Sequence, residues 1–394
     1  MKSRHIVSIF LISLIFGGCA STGHVGLNND VSRQWLLSGA VFTDKPEPGQ
    51  IIAEEEVTRL SPAMKDFADQ ATAGILSPRS KVGALLAAVV DPMRLGIEYS
   101  PEASYTAAEA FEHRRANCLS FTLMMVSMLR HLGVNVRFND VDIPQIWDLH
   151  DDSTMVLYKH INAIVQYPTG GRSVIDLTLD EYDTSYEQRI ITDRSAVAQY
   201  FNNRAVENLN DGNVGKAFPF LVKALAIEPH RSYWWSNLGS LYQKAGYWQA
   251  ARQAYEIAMA EDDSDLMAMS NAVRLYTALG DDKRATELQA RVDRYRQKNP
   301  YYRYLEAINA YRAGELPQAR DEIAAAIRLY EKEHRFYFLQ GAILQKLGLH
   351  DAARRSMDTA LELTTDRKQV ARYREKMDLI LSANLQPEHV VRIN

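Results

Sequence analysis

Alanine returns every 34 residues along the C-terminal half of the chain, at Ala217, Ala251, Ala285, Ala319 and Ala353. Glycine keeps the same 34-residue interval at Gly212, Gly246, Gly280, Gly314 and Gly348. Two separate series on one period constrain this half to copies of one unit, each an antiparallel pair of helices. The periodic glycine ends the first helix, where a residue without Cβ accepts a left-handed cap. Small residues such as Gly239 and Ala251 let helices approach closely, and Tyr242 and Tyr255 fill the space between layers. No unit of this kind buries its apolar face alone, so neighbours must stack into a solenoid.

The supporting positions resemble the tetratricopeptide repeat. The second unit carries Trp235, Leu238, Gly239, Tyr242, Ala251, Tyr255 and Ala258, and the first ends on Pro229. The third departs, with Met269, Val273 and Val292 in place of more typical residues. The resemblance implies five repeats over residues 195–365, a capping helix and tail over 366–394, and a concave face that grips a peptide or partner protein.

The N-terminus sets the compartment. Lys2 and Arg4 precede an apolar run from Ile6 to Phe16, too short to span a bilayer, so it reads as an export signal. Gly17-Gly18-Cys19 resembles the lipobox of bacterial lipoproteins, with Phe16 departing from the usual leucine. That resemblance implies cleavage after residue 18, a diacylated Cys19 and, with Ala20 and Ser21 following, the periplasmic side of the outer membrane. Residues 19–60 are polar and carry Pro46, Pro48 and Glu54-Glu55-Glu56, the composition of a membrane tether. Without residues 1–18 the chain holds 43 basic against 49 acidic side chains, net −6, which argues against nucleic acid as a partner. It has no Gly-rich phosphate loop and no CxxC or HExxH spacing, so no cofactor or metal is expected.

Only two cysteines exist. If Cys19 carries lipid, Cys118 is an unpaired thiol in an exported protein, either buried and inert or kept for chemistry. A helix is predicted over Thr106 to Arg115, with Thr106 as cap and Glu109 in the capping-box position. Asn117 breaks it, and Cys118 opens a second helix to about His131, with a stripe of Leu119, Thr122, Leu123, Val126 and Leu129, stopped by Gly133. Strands are expected over Val134–Val141, about Met155–Lys159, His160–Gln166 and Ser173–Thr178. Pro168-Thr169-Gly170-Gly171 turns the last two into a hairpin.

A cysteine at a helix N-terminus feels the dipole and the first-turn N–H groups, both of which favour thiolate. Across the hairpin, His160 and Asp176 can lie side by side, the acid orienting the imidazole. His113, His131 and His150 are rivals of His160, and Asp180 of Asp176, but none of the three histidines begins a strand beside an aspartate strand. This order, together with Ala116-Asn117-Cys118-Leu119-Ser120-Phe121 through Leu132-Gly133-Val134, resembles the Cys-His-Asp triad of the transglutaminase-like superfamily, a papain-like fold. The family usually has glycine where Ala116 stands.

The resemblance implies an α+β papain/transglutaminase-like domain over residues 61–190 in front of the all-α solenoid. It also implies catalytic roles for Cys118, His160 and Asp176, with the Cys118 N–H as oxyanion donor. Tyr99 is a second candidate there, Trp147 could overhang the cleft, and Arg114 or Arg115 could brace a substrate carboxylate. Two functions follow. One is an envelope-anchored, cysteine-dependent amide-bond hydrolase or acyl transferase whose protein or peptide substrate the repeats recruit. The other is an inactive scaffold lipoprotein that binds envelope proteins through the repeats.

Overall fold

A computed structural model describes residues 33–43, 51–142, 160–168, 170–177, 187–364 and 367–382. The expected signal peptide, Cys19, Trp147, His150, Asp180 and the strand over 155–159 lie outside the described residues. The chain divides into two compact units, Met1–Lys45 and Pro46–Asn394. In the first, residues 33–37 form a short helix.

The second unit begins with a helical turn, α1 (Glu54–Val57), inside the stretch expected as a tether. Lys223 of the repeat array donates to Glu54 at 2.6 Å, so this segment belongs to the folded body. Helices α2 (Pro62–Ala71) and α3 (Pro78–Val90) follow. Each has proline in its first turn and a serine cap, the pairing that suits a helix start.

Strand β1 (Glu98–Tyr99) then pairs in parallel with β2 (Arg115–Ala116). Between them lies α4 (Ala107–His113). Thr106 and Glu109 close the expected capping box, but α4 ends short of Arg115. Arg114 turns left-handed, φ 52°, and sends the chain into β2. Helix α5 (Cys118–His131) has the predicted bounds.

Instead of burying one stripe, α5 is apolar and buried nearly all round, from Leu119 and Phe121 to Met128 and Leu129. It is enclosed by α2, α4, strands β3 and β4, and the first helix of the repeats. That is the pattern of a central core helix, each fully buried large side chain contributing roughly 1.5–3 kcal/mol.

The sheet runs in the order β5-β4-β3-β6, from β3 (Val136–Asp142), β4 (His160–Gln166), β5 (Arg172–Ile175) and β6 (Glu187–Ile191). Every neighbouring pair is antiparallel. The hairpin forms as expected, with Ala163 opposite Ile175. Strand β5 stops at Ile175, so Asp176 stands just beyond its end, and Thr178 lies outside the described residues. Pairing of β1 with β2 and the edge strand β6 had no counterpart in the sequence reading.

The array comprises helix pairs α6 (Asp193–Asn210) with α7 (Val214–Ile227), α8 (Ser232–Lys244) with α9 (Trp248–Glu261), and α10 (Leu266–Ala278) with α11 (Asp282–Lys298). Then come α12 (Pro300–Ala313) with α13 (Leu316–Leu329) and α14 (His334–Lys346) with α15 (His350–Leu363). Each periodic glycine sits past a first helix with φ between 73° and 81°. The five periodic alanines are all buried in second helices. At Gly239 a Cβ would lie 2.5 Å from the Tyr255 ring, so the close approach requires glycine there. A last helix, α16 (Arg367–Ser382), caps the array, Tyr373 stacking on Phe338 at 4.3 Å between ring centres.

Candidate functional site

Cys118 is the first residue of α5, and Asn117 is its N-cap, the Asn117 side chain accepting the Ser120 N–H at 2.9 Å. The chain enters this cap from β2, whose Ala116 pairs with Tyr99. Ala116 is fully buried, and among the described non-glycine residues only Arg114 has positive φ, so the backbone does not demand the glycine usual in the resembled family. Tyr99 is thereby held beside the cysteine motif, with its side chain half exposed.

His160 opens β4 and projects from the same face of that strand as Asn162, by the alternation of a pleated chain. Asp176 follows Ile175 on the neighbouring strand, which brings it beside Asn162. The His160 Nε2 and Asp176 Oδ2 lie 2.6 Å apart. The sulfur, a ring nitrogen of His160 and a carboxylate oxygen of Asp176 all fall within 4.8 Å of one another. Cys118 is the ring's second hydrogen-bonding neighbour. Three residues distant in sequence are therefore assembled by one helix start and one hairpin.

The electrostatics follow from burial and partners. Burial alone disfavours a charged imidazole, but hydrogen bonds and charge from Asp176 and Cys118 outweigh it. The His160 ring is pushed up to about 10 from an ordinary 6.5. An imidazolium held between a carboxylate and a sulfur can orient and deliver a proton. The same three side chains are of metal-ligating types, but the 2.6 Å contact is hydrogen-bond geometry within the group rather than convergence on an ion.

Asp176 is braced in turn. Asn162, fully buried, donates from Nδ2 to the same Oδ2 at 3.2 Å. Asn139, its partner across the β3–β4 ladder, donates to Asn162 Oδ1 at 2.9 Å and to Gln188 Oε1 at 3.4 Å. This amide row crosses the sheet and ends at the carboxylate. The sequence reading missed it, although the signal was present: asparagine is disfavoured in strands, and Asn162 alternates in phase with His160.

The rivals have other duties. His131 pairs with Asp69 at 3.0 Å, and His113 lies 4.9 Å from the Tyr105 ring. Arg115 donates to Ser100 Oγ at 2.8 Å, and Arg114 serves the left-handed turn.

Residues 65–146 match the family described as the transglutaminase-like superfamily, and residues 334–367 match the tetratricopeptide repeat. The first match includes Cys118 and stops before His160 and Asp176, which the fold supplies. No curated protein matches the chain. Among solved structures, YrrB, titled a TPR protein with an unusual peptide-binding site, is 16% identical over 45% of this chain and 92% of its own, TM-score 0.24. MamA from Desulfovibrio magneticus RS-1 is 16% identical over 42% of this chain and 94% of its own, TM-score 0.25. Pseudomonas aeruginosa pilF is 17% identical over 49% of this chain and 99% of its own, TM-score 0.26. The chain thus carries a transglutaminase-like domain, with a Cys-His-Asp cluster built inside it, and a tetratricopeptide repeat.

Proposed function

We propose that the protein is an envelope-anchored, cysteine-dependent amide-bond hydrolase or acyl transferase acting on a protein or peptide that its repeats recruit. The observation that carries this reading is the cluster of Cys118, His160 and Asp176, with the imidazole held between sulfur and carboxylate. Sulfur attacks the substrate carbonyl carbon and a C–S bond forms, while negative charge gathers on the carbonyl oxygen. The Cys118 N–H, in the first turn of α5 where helical N–H groups have no carbonyl of their own helix, is the donor for that oxygen. His160 gives its proton to the leaving nitrogen, the C–N bond breaks and a thioester remains. Water, or an amine in the transferase case, then loses a proton to His160 and attacks the thioester. The C–S bond breaks and the thiolate–imidazolium pair is restored.

Recruitment by the repeats is supported by the array's extended stacked form, since solenoids present concave faces to partners. Attachment through a lipid on Cys19 rests on the lipobox resemblance.

A direct test uses an activated ester such as p-nitrophenyl acetate on the full chain. Expected is a burst of nitrophenol equal to the enzyme present, with an acetyl group on the Cys118 peptide by mass spectrometry and none in Cys118→Ala. Acylation that persists in Cys118→Ala, or no burst from a folded protein, would leave the scaffold reading in its place. Faster turnover on adding a primary amine marks a transferase, and unchanged turnover a hydrolase.

A further inference from the structure

The loop ahead of α4 joins the nucleophile to the repeat array through a series of hydrogen bonds. Ser104 is fully buried, Asn117 and Ser120 are buried, and Glu207, on the first repeat helix, is 13% exposed at its side chain. Glu207 Oε1 accepts the Ser104 N–H at 2.9 Å and so holds the Ser104 backbone. The Ser104 hydroxyl oxygen accepts from Asn117 Nδ2 at 2.8 Å. Asn117 Oδ1 in turn accepts the Ser120 N–H and caps the Cys118 helix.

Nearby bonds tie the loop to the same turn. Ser120 Oγ donates to Ala103 O at 2.9 Å and accepts the Tyr105 N–H at 2.7 Å. Arg204, one turn before Glu207, donates to Ser104 O at 3.2 Å.

We propose that Glu207, contributed by the repeat array, is a positioning residue for Cys118, acting through Ser104 and Asn117. The inference rests on the catalytic reading of Cys118 but makes a separate demand: the array is part of the apparatus that sets the nucleophile, not only the part that holds substrate. Burial raises the Glu207 carboxyl, while the Ser104 hydroxyl and Arg204 oppose that rise. The glutamine isostere keeps the shape but removes the charge that holds the Ser104 N–H, and Ser104→Ala removes the acceptor that holds Asn117 Nδ2.

The experiment is the rate of iodoacetamide alkylation of Cys118 in the full chain, which needs no substrate. Glu207→Gln and Ser104→Ala should each change the rate constant about tenfold from wild type, as loss of a buried hydrogen bond to a charged group implies. The double variant should change little further, because both act on one chain of bonds. In ring-labelled histidine spectra, the His160 titration should also move from its wild-type position. Asp193→Ala is the control. It cuts another link between the array and α5, the 2.6 Å contact to Arg130, and should alkylate as wild type does. Wild-type rates in folded Glu207→Gln and Ser104→Ala would overturn the proposal, as would an equal change in Asp193→Ala. Failure of the ester burst sinks the catalytic reading, and these alkylation rates report on the relay either way.

Discussion

In the repeat array each helix lies against the next one in the chain. Tyr255 of α9 faces Gly239 of α8, a short distance back in sequence. In the transglutaminase-like domain the neighbours that matter are strangers in sequence. Cys118 meets a histidine beyond a whole strand, and Ser104 meets Glu207 across 103 residues. Redundancy differs as well. The array repeats its glycine cap and buried alanine five times, whereas the site has one sulfur, one imidazole and one carboxylate. A fault at the repeat positions of the array, away from Glu207, should therefore cost stability and spare chemistry, whereas a fault in the site should strike chemistry first.

The largest expected effect tests the second half of that contrast. Asp176→Asn keeps the volume but removes the charge that faces Nε2. Burst acylation should fall by about 10³–10⁴-fold, the scale seen when a triad acid is neutralised. The thermal midpoint should fall as well, because the buried imidazolium loses its carboxylate partner. Equal acylation by Asp176→Asn and wild type would break the comparison by making the carboxylate dispensable.

The array half is tested by two glycines on the same repeat position. A Cβ on Gly239 would meet the Tyr255 ring at 2.5 Å, and that ring is fully buried with its hydroxyl bonded to Gln243 at 2.9 Å. A Cβ on Gly341 would meet Met357 Cγ at 2.6 Å and the Ala353 backbone oxygen at 3.1 Å, and the unbranched methionine gives way more readily than a fixed ring. Gly239→Ala should cost about 2–3 kcal/mol and Gly341→Ala about 1 kcal/mol by chemical denaturation. Both should keep wild-type alkylation of Cys118. Equal costs would show that the aromatic is freer to move than its packing implies.

These contrasts also explain what could be read from sequence. Period and composition were enough for the array because each contact there is local and recurs, so Ala217 predicts the surroundings of Ala353. Helix α5 was legible in its bounds because Asn117 and Gly133 punctuate it. Its burial on every side was not, since the enclosing elements arrive from across the chain. His160 and Asp176 were within reach because Pro168-Thr169-Gly170-Gly171 dictated a hairpin. Glu207 and Ser104 were not, since no local pattern tells a buried glutamate on a repeat helix from a solvated one.

The smallest effect sharpens the comparison by pH. The raised value of His160, to about 10 against 6.5 unfolded, means the folded state holds its proton more tightly. Its stabilising contribution is therefore complete below pH 6.5 and is lost as pH climbs through about 10. Wild type should thus lose stability across that window more steeply than His160→Gln, which carries no titrating ring, when both are unfolded by urea at successive pH values. The buried tyrosines of the array, Tyr242 and Tyr255 among them, are pushed above their ordinary value of 10 by burial. Their ionisation in the unfolded state adds a slope only near pH 10, and because it is common to both proteins it cancels in the comparison. The difference between the two curves isolates the site from the scaffold, and parallel curves would mean that the imidazole is not held charged between sulfur and carboxylate.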